Sequence, residues 1–196
     1  MIEWLEHIDQ QLLLFINSGH TPFLDTCMWI ISGKFTWIPL YLFLIYLAYR
    51  QYGGKGAALF LVCAILGVVI ADQTSVHLFK NVFERYRPSH NLDLQHYLHL
   101  HKFPDGSFYK GGQFGFVSSH AANFGMLIAF SLLVLNRNRQ LVIGLLLAHI
   151  LVIYSRMYLG VHYPSDVFVG TLVGLLAALL PVFIFKKVIT ARKKDQ

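Results

Sequence analysis

Residues 140–185 read QLVIGLLLAHILVIYSRMYLGVHYPSDVFVGTLVGLLAALLPVFIF, which is two apolar runs separated by a short polar turn. The runs cover 140–159 and 165–185, and each has the length of about 20 residues that an α-helix needs to cross a bilayer. Residues 155–166, where the two runs meet, include an arginine, a histidine and an aspartate, which are costly to place next to hydrocarbon. The stretch therefore predicts a pair of transmembrane helices whose connection carries functional side chains.

The rest of the chain extends this pattern. Of the 196 residues, 56% are hydrophobic and 13% are charged, whereas soluble domains have about 25% charged residues. Further apolar runs lie at 36–50, 57–78 and 117–135. The sequence thus predicts an all-α, multi-span transmembrane helical bundle with five spans, or six if the first run extends back through Gly33 and Lys34. We expect a single domain over 1–196, because no repeat or low-complexity tract divides the chain.

Residues 1–33 predict helices of another kind. WLEHIDQQLLLFIN (4–17) alternates apolar and polar positions at near-helical spacing, and PFLDTCMWII (22–31) is too short to cross a bilayer. Both patterns favour helices that lie in the membrane interface. Glu3 and Glu6 stand where a cleaved signal peptide has its basic segment, so we expect these residues to stay in the mature chain.

The basic residues indicate membrane topology rather than a nucleic-acid partner. The formal net charge is +6, and much of it lies in NRNR (136–139) and FKKVITARKK (185–194). Basic residues in short loops and tails are typical of a cytoplasmic face. We therefore expect the C-terminus in the cytoplasm and the long loop 79–116 outside.

The segment KNVFERYRP (80–88) follows the second predicted span. Lys80 and Arg87 are seven residues apart, so on a continuous helix that Pro88 ends they share one face. The two cations can then address one anion. Taken alone, the segment fits equally well a lysine and an arginine that snorkel at the membrane edge.

FVSSHAANFGML (116–127) begins the third predicted span. Ser118 or Ser119 is suited to cap this helix, which places His120 in its first turn. The unpaired backbone N–H groups of a helix start attract phosphate. The alternative is a serine cap followed by an interfacial histidine without a role.

SRMYLGVHYPSD (155–166) joins the last two spans. Pro164 fits the first turn of the final helix, which leaves His162 just before that helix and Asp166 inside it. At this spacing the aspartate can accept the Nδ1–H of the histidine and leave Nε2 free as a nucleophile. Arg156 adds a planar fork of donors for phosphoryl oxygens. The alternative is a capped helix start with an interfacial histidine and aspartate.

Together the three stretches suit phosphoryl transfer. Cations hold an anion whose charge grows in the transition state, two imidazoles act as nucleophile and acid, and one carboxylate orients. This chemistry needs neither a metal nor another cofactor.

We do not expect a metal site among the loop histidines, because cysteine and acidic ligands are sparse near them; they are His90, His96, His99 and His101. Cys27 and Cys63 lie far apart in apolar segments, which argues against a disulfide framework.

Two polar residues lie inside apolar spans. At about 1.5 Å per residue, Asp72 lies about 12 Å below Lys80, and His149 lies about 9 Å below Ser155. Because these depths are similar, we expect Asp72 to meet His149 or Arg156 within the bundle, either to support the site or to form a buried stabilising pair.

The motifs resemble those of the type 2 phosphatidic acid phosphatase superfamily. That family has a lysine, six residues and Arg-Pro, then Pro-Ser-Gly-His, then Ser-Arg, five residues, His, three residues and Asp. Here the motifs read K-NVFERY-RP, V-SSH and SR-MYLGV-H-YPS-D. The first and third match at every fixed position, whereas Val117 replaces the family's proline and Ser119 its glycine. The resemblance extends to the multi-span layout of about residues 20–185.

The resemblance implies a role for each motif residue. His162 corresponds to the nucleophile that forms a phosphohistidine, Asp166 to its orienting partner, and His120 to the acid that protonates the leaving group. The residues that correspond to phosphate ligands are Lys80, Arg87, Arg156, Ser118 and Ser119.

The resemblance also implies the substrate class. It indicates a lipid phosphate of a bacterial inner membrane, with the active site on the periplasmic or external face. We expect undecaprenyl diphosphate or phosphatidylglycerol phosphate first, and the phosphates of lipid A after them. Two alternatives stay open: a vanadium-dependent haloperoxidase of the same superfamily, and a membrane protein that binds lipid headgroups without catalysis. The expected partners are the lipid substrate and the bilayer but not nucleic acid, and the oligomeric state is left open.

Overall fold

The computed structural model describes residues 2–194 as helices joined by loops. Within these residues there is no β-strand, and extended segments meet in two isolated bridges. The predicted all-α class is therefore confirmed. The other residues of the predicted 1–196 domain lie outside the described part.

Two helices form the N-terminal segment, α1 (Ile2–Ser18) and α2 (Pro22–Ser32). Thr21 caps α2, because its Oγ1 accepts a hydrogen bond from Leu24 N at 3.2 Å. Pro22 occupies the first turn, where the missing N–H has no intrahelical partner to lose. Neither helix is among the segments that are long and apolar enough to cross a membrane. Their place in the interface remains a prediction.

Helix α3 (Ile38–Gln73) consists of two arms that meet at Gly53. Gly53 has φ 70° and ψ −177°, a conformation that glycine reaches without the clash of a Cβ. Side chains of both arms line one cavity, for example Tyr41 from the first arm and Ala64 from the second. The arms therefore lie beside each other, and they correspond to the first two predicted spans.

The second arm does not continue as a regular helix to Arg87, which corrects the prediction made for this segment. The chain passes through a π-helical stretch, Thr74–Lys80, and a short helix α4 (Asn81–Phe83). Glu84 then adopts the left-handed conformation (φ 47°) and ends the helix. Lys80 and Arg87 consequently do not share a helix face, since Arg87 lies in extended backbone (φ −64°, ψ 154°).

The remaining helices form the bundle that carries the site. In chain order they are α5 (Ser119–Val134), α6 (Arg139–Tyr158), α7 (Pro164–Ala177) and α8 (Leu179–Lys194). The segments long and apolar enough to cross a membrane are Lys34–Phe83, Arg139–Tyr158 and Pro164–Arg192, and α5 is a shorter apolar helix. These are the features of an integral membrane protein. The number of spans, five or six, remains a prediction.

Helix α7 packs closely on α5 through Gly170 and Gly174. A Cβ at Gly170 would lie 2.7 Å from the carbonyl oxygen of Ser118, and a Cβ at Gly174 would collide with that of Ala122. This Gly-x-x-x-Gly spacing lets transmembrane helices approach backbone to backbone. The contact sets the N-termini of α5 and α7 side by side, where Ser118 N donates to Asp166 O at 3.0 Å.

The loop between α4 and α5 is tied to two helices by Asn17, near the end of α1. The Asn17 carboxamide accepts from His99 N at 2.8 Å and donates to His99 O at 2.9 Å. It also donates to Tyr158 O at 2.7 Å, at the end of α6. His99 Nε2 in turn lies 3.0 Å from Asp25 Oδ2. Among the described residues, no three His, Cys, Asp or Glu side chains are placed to hold a metal ion.

Candidate active site

His162 and Asp166 lie together where α6 gives way to α7. Pro164 starts α7, so Asp166 falls in its first turn and its carboxylate reaches back along the chain. The His162 Nδ1 to Asp166 Oδ2 distance is 3.3 Å, and Tyr163 N donates to the same oxygen at 3.0 Å. His162 is 1% exposed and Asp166 is fully buried. This contact is the one that their four-residue spacing predicts.

Arg87 fixes the protonation pattern of His162. Its Nη1 lies 3.1 Å from His162 Nε2, and its Nε donates to Phe114 O at 3.2 Å. A guanidinium has donors only, so Nε2 must accept and the ring proton must sit on Nδ1, facing Asp166. Gly111 makes room for this arginine, because a Cβ there would lie 2.8 Å from Arg87 Nη1. The imidazole is thereby held as a neutral ring whose Nε2 lone pair faces a cation.

The surroundings keep His162 neutral and Arg87 charged. Burial, followed by the positive charges of Arg87 and Arg156, lowers the pKa of His162 well below its ordinary value. Burial and the neighbouring Arg156 lower the pKa of Arg87 to about 10. At neutral pH the guanidinium is therefore still protonated, and the imidazole has its lone pair available.

The start of α5 supplies a second group of predicted residues. Ser118 is the N-cap, and its Oγ accepts from Ala121 N at 3.5 Å. Ser119 lies in the first turn, and its hydroxyl accepts from Lys80 Nζ at 2.7 Å. His120, the next residue, lines the same cavity as Lys80 and Ser119.

The two serines therefore differ in what they can offer a ligand. Ser118 is fully buried and its N–H is already paired with Asp166 O, so only its hydroxyl is left to meet a ligand, and its role as a phosphate contact stays a prediction. Ser119, which stands where the resemblance has glycine, is the serine beside the cavity. The sequence could not distinguish them, because both are capping residues at adjacent positions.

Arg156 is 2% exposed and is held by groups that the sequence analysis did not single out. One nitrogen of its guanidinium donates to Ser32 Oγ, and Nη2 donates to Tyr109 OH at 3.1 Å. Its Nε has no hydrogen-bond partner among the described residues. Arg156 thus adds positive charge next to both histidines while being anchored to α2 and to the loop before α5.

A cavity of about 730 Å³ joins the polar residues to the apolar interior of the bundle. At one end it is lined by Lys80, Arg87, Ser119 and His120. Most of its walls are apolar and come from the turn before α3, both arms of α3 and α5; they include Trp37, Leu44, Phe60, Val68, Phe124 and Leu127. Asp72 and Asn123 are polar residues on the same walls. A cavity with cations at one end and apolar walls beyond them suits a molecule with a phosphate head and a hydrocarbon tail.

The expected pairing of Asp72 with His149 or Arg156 is wrong. Asp72 Oδ1 accepts from Asn123 Nδ2 at 3.4 Å on the cavity wall. His149 Nε2 lies 3.0 Å from Thr171 Oγ1, between α6 and α7. The two residues lie at a similar depth but do not meet. Counting residues along a helix gives the depth of a side chain and not the direction in which it points.

One residue in contact with the site was missed by the sequence analysis. Arg85 Nη1 donates to Asp166 Oδ1 at 3.2 Å. The signal was present in ERYRP, where a second arginine stands two residues before Arg87. It could not be interpreted without the turn at Glu84, which separates the two arginines from the helix.

We expect the apparent melting temperature of the detergent-solubilised protein to fall as the pH is lowered from about 8 to about 5. In the unfolded chain His162 titrates near its ordinary pKa of about 6.5, whereas in the folded chain its pKa lies well below that value. Below about pH 6.5 the unfolded chain therefore binds more protons, so stability that is complete above this pH is lost progressively below it. Glutamine cannot titrate in this range, so the apparent melting temperature of the His162→Gln variant should fall less than that of the wild type. Equal slopes in both proteins would contradict this prediction.

A known protein family and two curated proteins match most of this chain. A family model described as the PAP2 superfamily matches residues 56–189. The chain is 38% identical to a lipid A 4'-phosphatase of Bacteroides thetaiotaomicron, over 98% of this chain and 83% of the relative. It is 36% identical to a lipid A 4'-phosphatase of Porphyromonas gingivalis, over 98% of this chain and 78% of the relative.

Two crystal structures share the fold. One is Aquifex aeolicus LpxE, with a TM-score of 0.60 and 23% identity over 88% of this chain and 93% of that chain. The other is a transmembrane PAP2-type phosphatidylglycerolphosphate phosphatase from Bacillus subtilis, with a TM-score of 0.68 and 20% identity over 94% of this chain and 87% of that chain. At these identities the likeness concerns the arrangement of the helices.

Proposed function

Because the chain belongs to the PAP2 superfamily and is a membrane lipid phosphatase, we propose that its substrate is lipid A, from which it removes the 4'-phosphate. The support is that two relatives with this named activity each match 98% of the chain. Lipid A thus takes precedence over undecaprenyl diphosphate and phosphatidylglycerol phosphate, which the family resemblance and the topology had favoured. The relatives are phosphatases, so the haloperoxidase and the non-catalytic headgroup-binding alternatives are set aside.

In the proposed reaction, His162 attacks the phosphorus with its Nε2 lone pair. The bond between phosphorus and the sugar oxygen breaks, and the oxygen leaves with the electron pair and takes a proton from His120, which becomes an imidazolium when the phosphate dianion binds beside it. A water molecule then attacks the phosphohistidine and gives a proton to His120. The nitrogen–phosphorus bond breaks, its electrons return to Nε2, and inorganic phosphate is released.

The cations have a defined part in this sequence. The contact of Arg87 with Nε2 gives way to phosphoryl oxygens when the substrate enters, which frees the lone pair for attack. Lys80 and the first-turn N–H of Ser119 stabilise the charge that grows on these oxygens. Arg156 contributes its charge from one side, and Asp166 holds the imidazole and stabilises its cationic form.

The observation that carries the proposal is the neighbourhood of His162 Nε2. The arginine that contacts this atom at 3.1 Å also lines a cavity whose walls are mostly apolar. Arg87 thus links the proposed nucleophile, which does not itself line the cavity, to a compartment suited to hydrocarbon. We further propose that the site faces the periplasm and that the basic end of α8, at Lys186 and Lys187, lies in the cytoplasm of a bacterial inner membrane.

Phosphate release from a panel of lipids tests the substrate. Purified protein in detergent, with EDTA present, is given bisphosphorylated lipid A, undecaprenyl diphosphate and phosphatidylglycerol phosphate at matched concentrations. We expect kcat/KM for lipid A to exceed the others by about 10-fold or more, a difference of about 1.4 kcal/mol in transition-state binding. Mass spectrometry of the product identifies which phosphate leaves.

Two outcomes contradict the proposal in different ways. Preference for another lipid overturns the substrate and leaves the reaction class intact. Release of the other lipid A phosphate overturns the position of attack.

A further inference from the structure

We propose that Arg85 and Asp9 are positioning residues that hold Asp166 in the orientation in which it fixes His162, so that α1 forms part of the active site. This inference rests on the proposed roles of His162 and Asp166. It concerns a residue of the loop after α4 and a residue 76 positions away, near the middle of α1.

The Arg85 guanidinium stands between two carboxylates. Its Nη1 donates to Ser165 Oγ at 2.7 Å and to Asp166 Oδ1 at 3.2 Å, and its Nη2 donates to Asp9 Oδ2 at 2.8 Å. Asp166 Oδ2, the other oxygen, faces Tyr163 N and His162 Nδ1. Each oxygen of Asp166 therefore has its own partners, which prevents rotation of the carboxylate about its terminal bond.

Asp9 is buried although it belongs to a helix with an exposed face. It is 6% exposed, whereas Glu3 and Glu6 of the same helix are exposed. Its Oδ1 accepts from Ser165 N at 2.8 Å, and its Oδ2 accepts from the Ser165 hydroxyl. Asp9 thus pairs a backbone N–H at the start of α7, which has no partner within that helix. The same side chain holds Arg85 and the turn that bears Asp166.

Asp9 determines how Arg85 meets Asp166. A guanidinium and a carboxylate prefer a bidentate contact in which both oxygens are engaged. Because Asp9 holds Nη2, Arg85 offers Nη1 to Asp166, and Oδ2 stays with His162. Without Asp9, the Arg85 guanidinium can bind both carboxylate oxygens of Asp166 and draw Oδ2 away from the His162 imidazole.

The two carboxylates keep the Arg85 guanidinium charged. Burial acts to lower the pKa of Arg85, but the Asp166 and Asp9 carboxylates outweigh it, so the pKa of Arg85 lies above its ordinary value. The guanidinium also stacks over the Tyr163 ring, with its carbon 4.0 Å from the ring centroid. One permanent cation therefore serves both acidic groups and packs against the residue next to His162.

The test measures kcat and KM for Asp9→Asn, Arg85→Met, Arg85→Lys and the double variant Asp9→Asn/Arg85→Met. We expect Asp9→Asn and Arg85→Met each to lower kcat by about 10- to 100-fold, the effect seen when groups that orient metal-bound histidines are lost. KM should change by less than about 3-fold, because neither side chain binds the lipid. The double variant should be no slower than Arg85→Met alone, since both changes remove the same orienting contact to Asp166.

Matched controls remove the same charges elsewhere. Glu3→Gln neutralises an exposed acid on α1, and Arg139→Met removes an exposed arginine at the other end of α6 from Arg156. Both should retain the wild-type kcat. Arg85→Lys separates positioning from folding, because it keeps the charge but offers no fork. We expect its kcat to lie between those of the wild type and Arg85→Met.

The outcomes distinguish this inference from the proposed function. If Asp9→Asn has the wild-type kcat, or if the losses in the double variant multiply, the positioning roles are refuted while the phosphatase site stands. If Asp9→Asn does not fold, Arg85→Lys decides, and a wild-type kcat in that variant overturns the inference. A wild-type protein that releases no phosphate, or a His162→Ala protein that does, refutes the proposed function instead.

Discussion

The His162→Ala protein should release phosphate at least about 10⁴-fold more slowly than the wild type, because it lacks the atom that would form the covalent intermediate. His162 is buried, its Nε2 lone pair faces Arg87, and its Nδ1 is paired with Asp166. Alanine removes the nucleophile and leaves the cations of the cavity in place. The measurement is single-turnover phosphate release in detergent, together with binding of the labelled lipid.

The control for this prediction is His96→Ala, which removes an exposed histidine from the loop over the site. It should retain the wild-type rate. Lipid binding should survive in His162→Ala, because Lys80 and Ser119 are unchanged. A His162→Ala protein with a rate within about 10-fold of the wild type would exclude His162 as the nucleophile, since such a loss corresponds to only about 1.4 kcal/mol.

Gly174→Ala should destabilise the folded protein by about 2–3 kcal/mol, which is large for the addition of one methyl group. The Cβ at this position meets the backbone of α5, with Met126 N at 2.8 Å and the carbonyl carbon of Ala122 at 3.0 Å. Backbone atoms cannot rotate away as a side chain can, so α5 and α7 must separate. The apparent melting temperature in detergent reports the loss.

The same substitution at Gly144 is the matched control. Gly144 lies within α6, and no atom of the described residues outside its own turn of helix comes within 4 Å of a Cβ placed there. Gly144→Ala should therefore leave stability unchanged or raise it slightly, because alanine is the better helix former. The prediction for Gly174 is wrong if the two variants melt at the same temperature. Activity should fall with Gly174→Ala as well, since the α5–α7 contact aligns Ser119 with Asp166.

The helical class and the third motif were within reach of the sequence. Apolar runs of bilayer length lead directly to the all-helical result. The contact between His162 and Asp166 follows from four-residue spacing across a proline that starts a helix, since both determinants are local. Gly170 and Gly174 also carried a readable signal, the small-residue spacing of close helix pairs.

The other parts of the site depend on long-range contacts, which local sequence patterns do not predict. Glu84 ends the helix in a left-handed conformation that non-glycine residues rarely adopt, so the placement of Arg87 on a loop had no local signal. The link from Asp9 to Arg85 spans 76 residues. Asp72 was assigned a wrong partner because side-chain direction depends on helix rotation, which packing decides.

The turn at Gly53 is a site where the orientation of the protein across the bilayer can be measured. Apart from its chain neighbours, no atom of the described chain comes within 4 Å of a Cβ placed at Gly53 or at Gly54, so the hairpin is open at these two residues. Exposed tips of this kind tolerate inserted residues. An epitope placed there in intact cells would be reached, or missed, by an antibody that cannot pass the inner membrane, and would thereby report on which side the hairpin turns.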